Sequence, residues 1–254
     1  MAQAVIGAHF LPLSTVIVRS STAVKAIVLD IEGTTTPITF VYDVLFPFAR
    51  AHLRAYLQDP KNSDALREPL RRLREEWDAD ADRGPTEGGH FEHAKYVEWL
   101  MDRDRKSPGL KLLQGQIWEQ GYRSGELHGD VFGDVAPALR RWHDAGIVVA
   151  IYSSGSELAQ RLLFGSTSQG DLTPLIDRFF DTAVGAKQAP DSYRRIAREL
   201  GRPADEILFI SDVTAELEAA RSAGCQTLLC VRPGNRPQSP DSHRAVRSFD
   251  DVAV

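Results

Sequence analysis

The sequence is poor in cysteine. Only Cys225 and Cys230 occur in 254 residues, and their spacing matches neither a CxxC motif nor a zinc-ligand pair. A disulfide framework and a thiolate metal site are thereby set aside, and two buried thiols in a reducing cytoplasm are expected. Positive charge is in no surplus either. Thirty basic residues against thirty-five acidic ones leave a net charge of −5, which argues against a nucleic-acid surface and against a polybasic membrane anchor. No apolar run approaches membrane-spanning length, because the first one is broken by His9, Pro12 and Ser14. Residues 1–23 lack the basic start of a signal peptide, Arg19 being their one lysine or arginine. They read as a loosely ordered tail outside the fold. Internal repeats and long low-complexity segments are absent too. A soluble chain follows, and its 43% hydrophobic content suffices for one large domain or a core carrying a smaller insertion.

Against this background, Val24 to Thr36 stands out. Its β-branched, apolar first half has the pattern of a strand buried on both faces of a parallel sheet. The strand ends at Asp30, followed by Glu32, Gly33 and three threonines. A carboxylate at the end of a buried strand is costly unless a ligand or partner uses it, and ligands of open α/β sheets bind beyond the carboxyl ends of the strands. A solvated Asp30 in a capped turn is the plainer alternative.

From Phe40 to about Asp130 the chain turns helical, charged and arginine-rich. Val41, Val44, Leu45 and Phe48 recur at helical spacing. So do Leu66, Leu70, Leu73 and Trp77, then Phe91, Ala94, Val97, Leu100 and Met101, and finally Leu110, Leu113, Ile117 and Trp118. Pro47 and Pro69 mark helix starts or kinks. Asp78 to His90 is a polar, glycine-rich loop. His90 and His93 lack companions for a metal set and read as ordinary histidines. The segment is expected to be a helical domain, residues 40–130, inserted after the first strand of a core made of residues 24–39 and 131–254.

Strands and helices then alternate: a helix Val135–Ala145 closed by Gly146, a strand Ile147–Tyr152, a helix Ser156–Phe164 and a short strand near Phe179. A helix Asp191–Leu200, a strand Ile207–Ile210, a helix Thr214–Ala223 and a strand Gln226–Val231 follow. The fold class is α/β, a doubly wound parallel sheet with right-handed crossovers. From Arg232 onward, Pro, Ser and Arg suggest a surface loop before a final short element.

Three further strand ends carry polar residues. Ser153-Ser-Gly-Ser156 opens a helix, where free N–H groups favour an anion, or where Ser156 is simply an N-cap. Ser211-Asp212 precedes a helix with Glu216 one turn on, and Asp212 too could be only a cap. Lys187 follows Gly185-Ala186, and a lone lysine is usually solvated.

Taken together and in this order, the four stretches resemble the motifs of the haloacid dehalogenase superfamily of phosphohydrolases. Asp30 and Glu32 match the first, Ser153 the second, Lys187 the third and Asp212 the fourth. Glu32 stands where Asp is usual, and Gln188-Ala-Pro190 stands where acidic residues are common. The run Asp30-Ile-Glu-Gly-Thr-Thr-Thr-Pro-Ile38 looks like the enolase-phosphatase (acireductone synthase) branch, as do Ile151-Tyr-Ser-Ser-Gly-Ser156, Ser192-Tyr-Arg-Arg-Ile-Ala197, Ser211-Asp-Val-Thr214 and Val231-Arg-Pro-Gly-Asn235. The resemblance implies a Rossmann-like core with a helical cap at residues 40–130. It implies one Mg²⁺ held by Asp30, the backbone carbonyl of Glu32 and Asp212. Asp30 is then the nucleophile, Glu32 the general acid and base, and Lys187 and Ser153 hold the transferring phosphoryl group, with Ser154 beside the substrate. The implied partner is a small phosphorylated metabolite, 2,3-diketo-5-methylthiopentyl 1-phosphate, enolised and dephosphorylated to acireductone in methionine salvage. Another small-metabolite phosphatase or a phosphomutase of the same superfamily is the alternative, and a non-catalytic phospholigand binder is disfavoured by the intact set of Asp30, Lys187 and Asp212. A cytoplasmic monomer is expected.

Overall fold

The structure, a computed structural model, describes residues 16–17, 22–82, 90–239 and 243–253. In chain order these form β1 (Val16–Ile17), β2 (Ala26–Leu29), α1 (Phe46–Gln58), α2 (Ser63–Ala79), α3 (His93–Asp102), α4 (Pro108–Ser124) and α5 (Val135–Asp144). There follow β3 (Val148–Tyr152), α6 (Glu157–Gly165), β4 (Arg178–Phe180), α7 (Pro190–Leu200), β5 (Ile207–Ser211), α8 (Thr214–Ser222), β6 (Gln226–Cys230), β7 (Arg244–Val246) and β8 (Val252–Ala253).

Six strands make one parallel sheet in the order β4-β3-β2-β5-β6-β7. Strand β2 lies in its middle, so all four residues Ala26–Leu29 are buried. Side chains alternate across a strand. Accordingly Ile27 and Leu29 pack on one face with Leu139, Trp142 and Phe164, while Ala26 and Val28 pack on the other with Tyr193, Ile196 and Leu217. Burying each Ile or Leu side chain contributes roughly 1.5–3 kcal/mol, and this two-faced core fixes the level at which the strands end. Positive-φ glycines close two of the flanking helices, Gly146 after α5 at φ 73° and Gly201 after α7 at φ 63°.

Between β2 and α5 the chain builds a separate helical body. Leu53, Leu66, Leu73, Trp77, Val97, Leu100, Leu113 and Ile117 form its own apolar cluster. Its arginines pair along the solvated face of α2, as in Arg71 with Glu68 and Glu75. Pro47 sits in the first turn of α1 and Pro69 inside α2. One expectation fails here. Val44 does not share the buried face of Val41 and Leu45; it is exposed, because Phe40–Leu45 winds as a π-helix whose wider turn breaks the 3.6-residue register.

Most of the N-terminal segment expected to be a loose tail lies outside the described residues. Within it, Val16–Ile17 pairs in parallel with Val252–Ala253, and the Thr22 hydroxyl donates to Asp205 at 3.1 Å. The surface loop expected from Arg232 needs correction at its first residue: Arg232 is buried, stacked over Phe132 and Phe249 and paired with Asp134 at 2.7 Å. The short element expected after it is β7, which extends the sheet. Both cysteines are buried free thiols. No helix among the described residues is long and apolar enough to cross a membrane.

Candidate active site

The carboxyl ends of β2, β3 and β5 bring the polar residues of the strand ends to one place. Asp30, immediately after β2, is only 3% exposed, so the solvated alternative fails. Its Oδ1 accepts from the Ile31 N–H at 2.7 Å and from Lys187 Nζ at 2.6 Å, and its Oδ2 accepts from Ser211 Oγ at 2.9 Å. Three donors on two oxygens fix its rotamer. The turn that follows is tied down by the Thr35 hydroxyl, which donates to the Asp30 carbonyl at 3.0 Å, and by the Gly33 N–H, which donates to the Thr36 carbonyl at 2.8 Å.

Lys187 is not surface. Tyr152, Ser192 and Tyr193 each donate a hydroxyl to the backbone carbonyls of Gly185, Ala186 and Lys187, at 2.9, 2.7 and 2.7 Å. This clamps the loop so that the ammonium reaches Asp30 and also Glu216 Oε2 at 2.7 Å. Burial works to lower the lysine, but Asp30 and Glu216 outweigh it and hold the ammonium above the ordinary lysine range.

Asp212 is buried beyond β5. It is no helix cap, since that position of α8 belongs to Val213. Burial, and then the charge of Asp30, push Asp212 up to about 7 against the pull of Lys187. Burial and Asp30 raise Glu32 and Glu216 in the same sense. Four carboxyl groups therefore surround one ammonium. Gly33, at φ 70°, lets Asp212 pack against its Cα: a Cβ there would lie 2.4 Å from Asp212 Oδ2.

Ser153 accepts from the Gly155 N–H at 3.1 Å through its hydroxyl, whereas Ser156 is the N-cap of α6, accepting from Ala159 N–H at 3.3 Å. Ser154 is exposed, and with Ser153 and Glu32 it lines a cavity of about 180 Å³. The far wall comes from the helical body and is largely apolar, with Val41, Leu45, Phe46 and Trp118, together with Tyr122 and Lys111. The Trp118 indole N–H donates to the Leu45 carbonyl at 2.8 Å. The Tyr122 hydroxyl and Gln160 Oε1, of residues also on this cavity, are buried without partners among the described residues.

Asp30, Lys187, Ser211 and Glu216 are thus in direct contact, and Glu32 and Asp212 interact electrostatically with Asp30. Glu216 had been visible only as an acidic residue one turn after Asp212. Asn235, whose side-chain N–H donates to the Gly33 carbonyl at 2.9 Å, was marked only as part of the matching run Val231–Asn235, with no role. His90 is exposed and His93 lies edge-on to Phe91; among the described residues no three His, Cys, Asp or Glu side chains form a metal cluster. The oxygens at the strand ends nonetheless fit one hard cation. Mg²⁺ takes one or two carboxylates and completes its shell with waters and phosphate, and the surplus buried negative charge around Lys187 would be offset by it.

The family description of haloacid dehalogenase-like hydrolases matches residues 24–224. Enolase-phosphatase E1 of Synechococcus elongatus is 46% identical over 233 residues, covering 91% of this chain and 98% of the relative. Enolase-phosphatase E1 of Pseudomonas aeruginosa is 45% identical, covering 91% and 99%. Among solved structures, the Unknown transcript 4 protein of Saccharomyces cerevisiae superposes with a TM-score of 0.72 at 33% identity, covering 90% of this chain and all of that one. With a buried Asp-Lys-Asp constellation at the strand ends and relatives matched over nearly their whole length, the chain belongs to the haloacid dehalogenase-like hydrolases and, among them, to the enolase-phosphatase E1 family.

Proposed function

We propose that the chain is a Mg²⁺-dependent enolase-phosphatase that enolises and dephosphorylates 2,3-diketo-5-methylthiopentyl 1-phosphate to acireductone. The observation that carries the phosphatase half is the contact of Asp30 with Lys187 at 2.6 Å inside a buried, carboxylate-rich strand end.

Asp30 is the nucleophile. Its carboxylate attacks phosphorus, the bond from phosphorus to the substrate's C1 oxygen breaks, and the departing oxygen takes a proton from Glu32. The carboxyl of Glu32, raised by burial and by Asp30, is suited to carry that proton. Glu32 then takes a proton from water as the water attacks the phosphorus of the acyl phosphate, so that phosphate leaves and Asp30 is restored. Lys187 meets the charge of the transferring group, and Ser153 donates to it from the start of α6. Asp30, the Glu32 carbonyl and Asp212 would hold Mg²⁺, which when bound neutralises charge on carboxylate and phosphate so that one can approach the other. Ser154 and the apolar wall of Leu45, Phe46 and Trp118 suit a substrate with a phosphate at one end and a thioether at the other. The unpartnered Tyr122 hydroxyl supplies a donor for a carbonyl between them. We place the helical body, residues 40–130, as a cap that excludes water from the reacting groups. We take the chain to act as a monomer, and the buried free thiols suit a reducing cytoplasm.

The test is to incubate purified protein and Mg²⁺ with the diketone phosphate, following enol absorbance and free phosphate together. The expected result is a transient enol and one equivalent of phosphate. Equal turnover of simple sugar phosphates, with no enol formed, would assign the chain to another phosphatase. Retention of the phosphoryl group in an isomer would make it a mutase.

A further inference from the structure

Asn235 lies in the loop after β6, far in sequence from the strand end it touches. Its amide nitrogen donates to the Gly33 carbonyl at 2.9 Å. A carbonyl can only accept, so that contact fixes the orientation of the amide, and Oδ1 must point away from Gly33 O. Oδ1 is buried and has no hydrogen-bond partner among the described residues. It packs on the same side of Gly33 as Asp212: a Cβ at Gly33 would stand 2.9 Å from Asn235 Oδ1 and 2.4 Å from Asp212 Oδ2. Two acceptors, one of them a carboxylate, thus crowd together against the Cα of Gly33, an approach open only because residue 33 has no side chain. A buried acceptor left unpaired is costly, and two acceptors this close call for something positive or protic between them.

We propose that Asn235 supplies a further oxygen to the cation site of Asp30, the Glu32 carbonyl and Asp212, directly or through a bound water, and is a positioning residue for that site. The assignment rests on the Mg²⁺ reading given above. Asn235 would serve two ends at once: its nitrogen holds the turn that carries the Glu32 carbonyl, and its oxygen meets the ion's shell. The loop Val231-Arg-Pro-Gly-Asn235 is anchored for this purpose by Arg232, whose Nε donates to the Thr34 carbonyl at 3.2 Å and whose Nη1 pairs with Asp134. Two successive carbonyls of the motif-one turn, those of Gly33 and Thr34, are therefore held from the segment after β6.

The test uses chelator-treated full-length protein, with Mg²⁺ binding measured calorimetrically and by the Mg²⁺-induced rise in melting temperature. Asn235→Ala and Asn235→Asp both lose the donor to Gly33 O, but only Asn235→Asp keeps an oxygen. The expectation is that Asn235→Ala weakens Mg²⁺ binding about tenfold or more, the range seen when groups supporting metal ligands are removed, whereas Asn235→Asp binds at least as tightly as the unaltered protein. If both variants weaken binding alike, the residue matters only through its bond to Gly33, and the inference is overturned. Unchanged binding in Asn235→Ala overturns it too. Absence of Mg²⁺ binding by the unaltered protein would instead remove the cation reading on which it stands.

Discussion

Asp212 offers a perturbation whose sign is opposite for stability and for activity. Without metal, its carboxyl is raised from 3.8 to about 7 by burial and by Asp30. A carboxyl whose folded value lies above its unfolded one makes the unfolded state the better acid, so the folded protein is penalised as pH rises. The penalty grows from pH 3.8, where it is near zero, to a plateau above pH 7. Roughly three pH units at ~1.4 kcal/mol each set a ceiling of about 4 kcal/mol. Relaxation and water entry should leave about half of that. Asp212→Asn removes the charge while keeping the shape. In chelator at pH 8 it should therefore melt higher than the unaltered protein by about 4–8 °C, taking 2–4 °C per kcal/mol for a chain of this size. The gap should shrink steadily as pH falls toward 4. Mg²⁺ should raise the melting temperature of the unaltered protein and leave that of Asp212→Asn unmoved, and the variant should release no phosphate. Thermal melts across pH, with and without Mg²⁺, decide the matter. An Asp212→Asn protein less stable than the parent at pH 8 without metal, next to a parent indifferent to Mg²⁺, would refute the electrostatic account.

Other variants separate neighbouring roles. Lys187→Met leaves Asp30 and Glu216 facing each other without their cation, and should cost about 3–5 kcal/mol by urea titration at pH 8 as well as turnover. Glu216→Gln keeps the Lys187–Asp30 contact, so it should lower kcat while costing no more than about 1–2 kcal/mol; equal damage from both substitutions would contradict the geometry. Gly33→Ala meets a positive φ and Asp212 Oδ2 together, so calorimetry should show Mg²⁺ binding lost in a protein whose circular dichroism is unchanged. Tyr122→Phe should lower kcat/KM for the diketone phosphate about tenfold or more, a buried hydrogen bond being worth 1–3 kcal/mol in discrimination, and leave hydrolysis of p-nitrophenyl phosphate as it was.

The strand ends could be read from the sequence because they break a strong pattern. Asp30 and Asp212 interrupt runs too apolar to tolerate an idle carboxylate, and the αβ alternation put both runs in one parallel sheet. Lys187 carried no such signal; what brings it to Asp30 is the clamp of Tyr152, Ser192 and Tyr193, whose hydroxyls look like helix and strand side chains until the loop folds back on them. Glu216 was within reach, since a residue four positions after Asp212 returns to the same end of the strand on a helix. Arg232 and Asn235 were marked only by the family resemblance of Val231–Asn235 and received no role, because a Pro- and Gly-rich loop has no period and its composition points to solvent. Only the tertiary contacts with Asp134, Thr34 and Gly33 reverse that reading. Helical periodicity likewise showed which residues of the inserted body are apolar, but not that Leu45, Phe46 and Trp118 face Glu32 and Ser153 across a cavity.

The central claim is that Asp30 carries the phosphoryl group, while enolisation depends on groups that remain when its charge is gone. Asn at position 30 keeps the shape and one neutral oxygen but is no nucleophile, and Lys187 stays in place. The most direct measurement follows enol absorbance and free phosphate in one cuvette for Asp30→Asn with the diketone phosphate, at Mg²⁺ high enough to offset the weakened site. The account predicts that the enol forms and accumulates and that no phosphate appears. Phosphate release at an undiminished rate would contradict the nucleophile; a variant that holds Mg²⁺ and substrate yet forms no enol would show that Asp30 itself takes part in removing the proton from carbon.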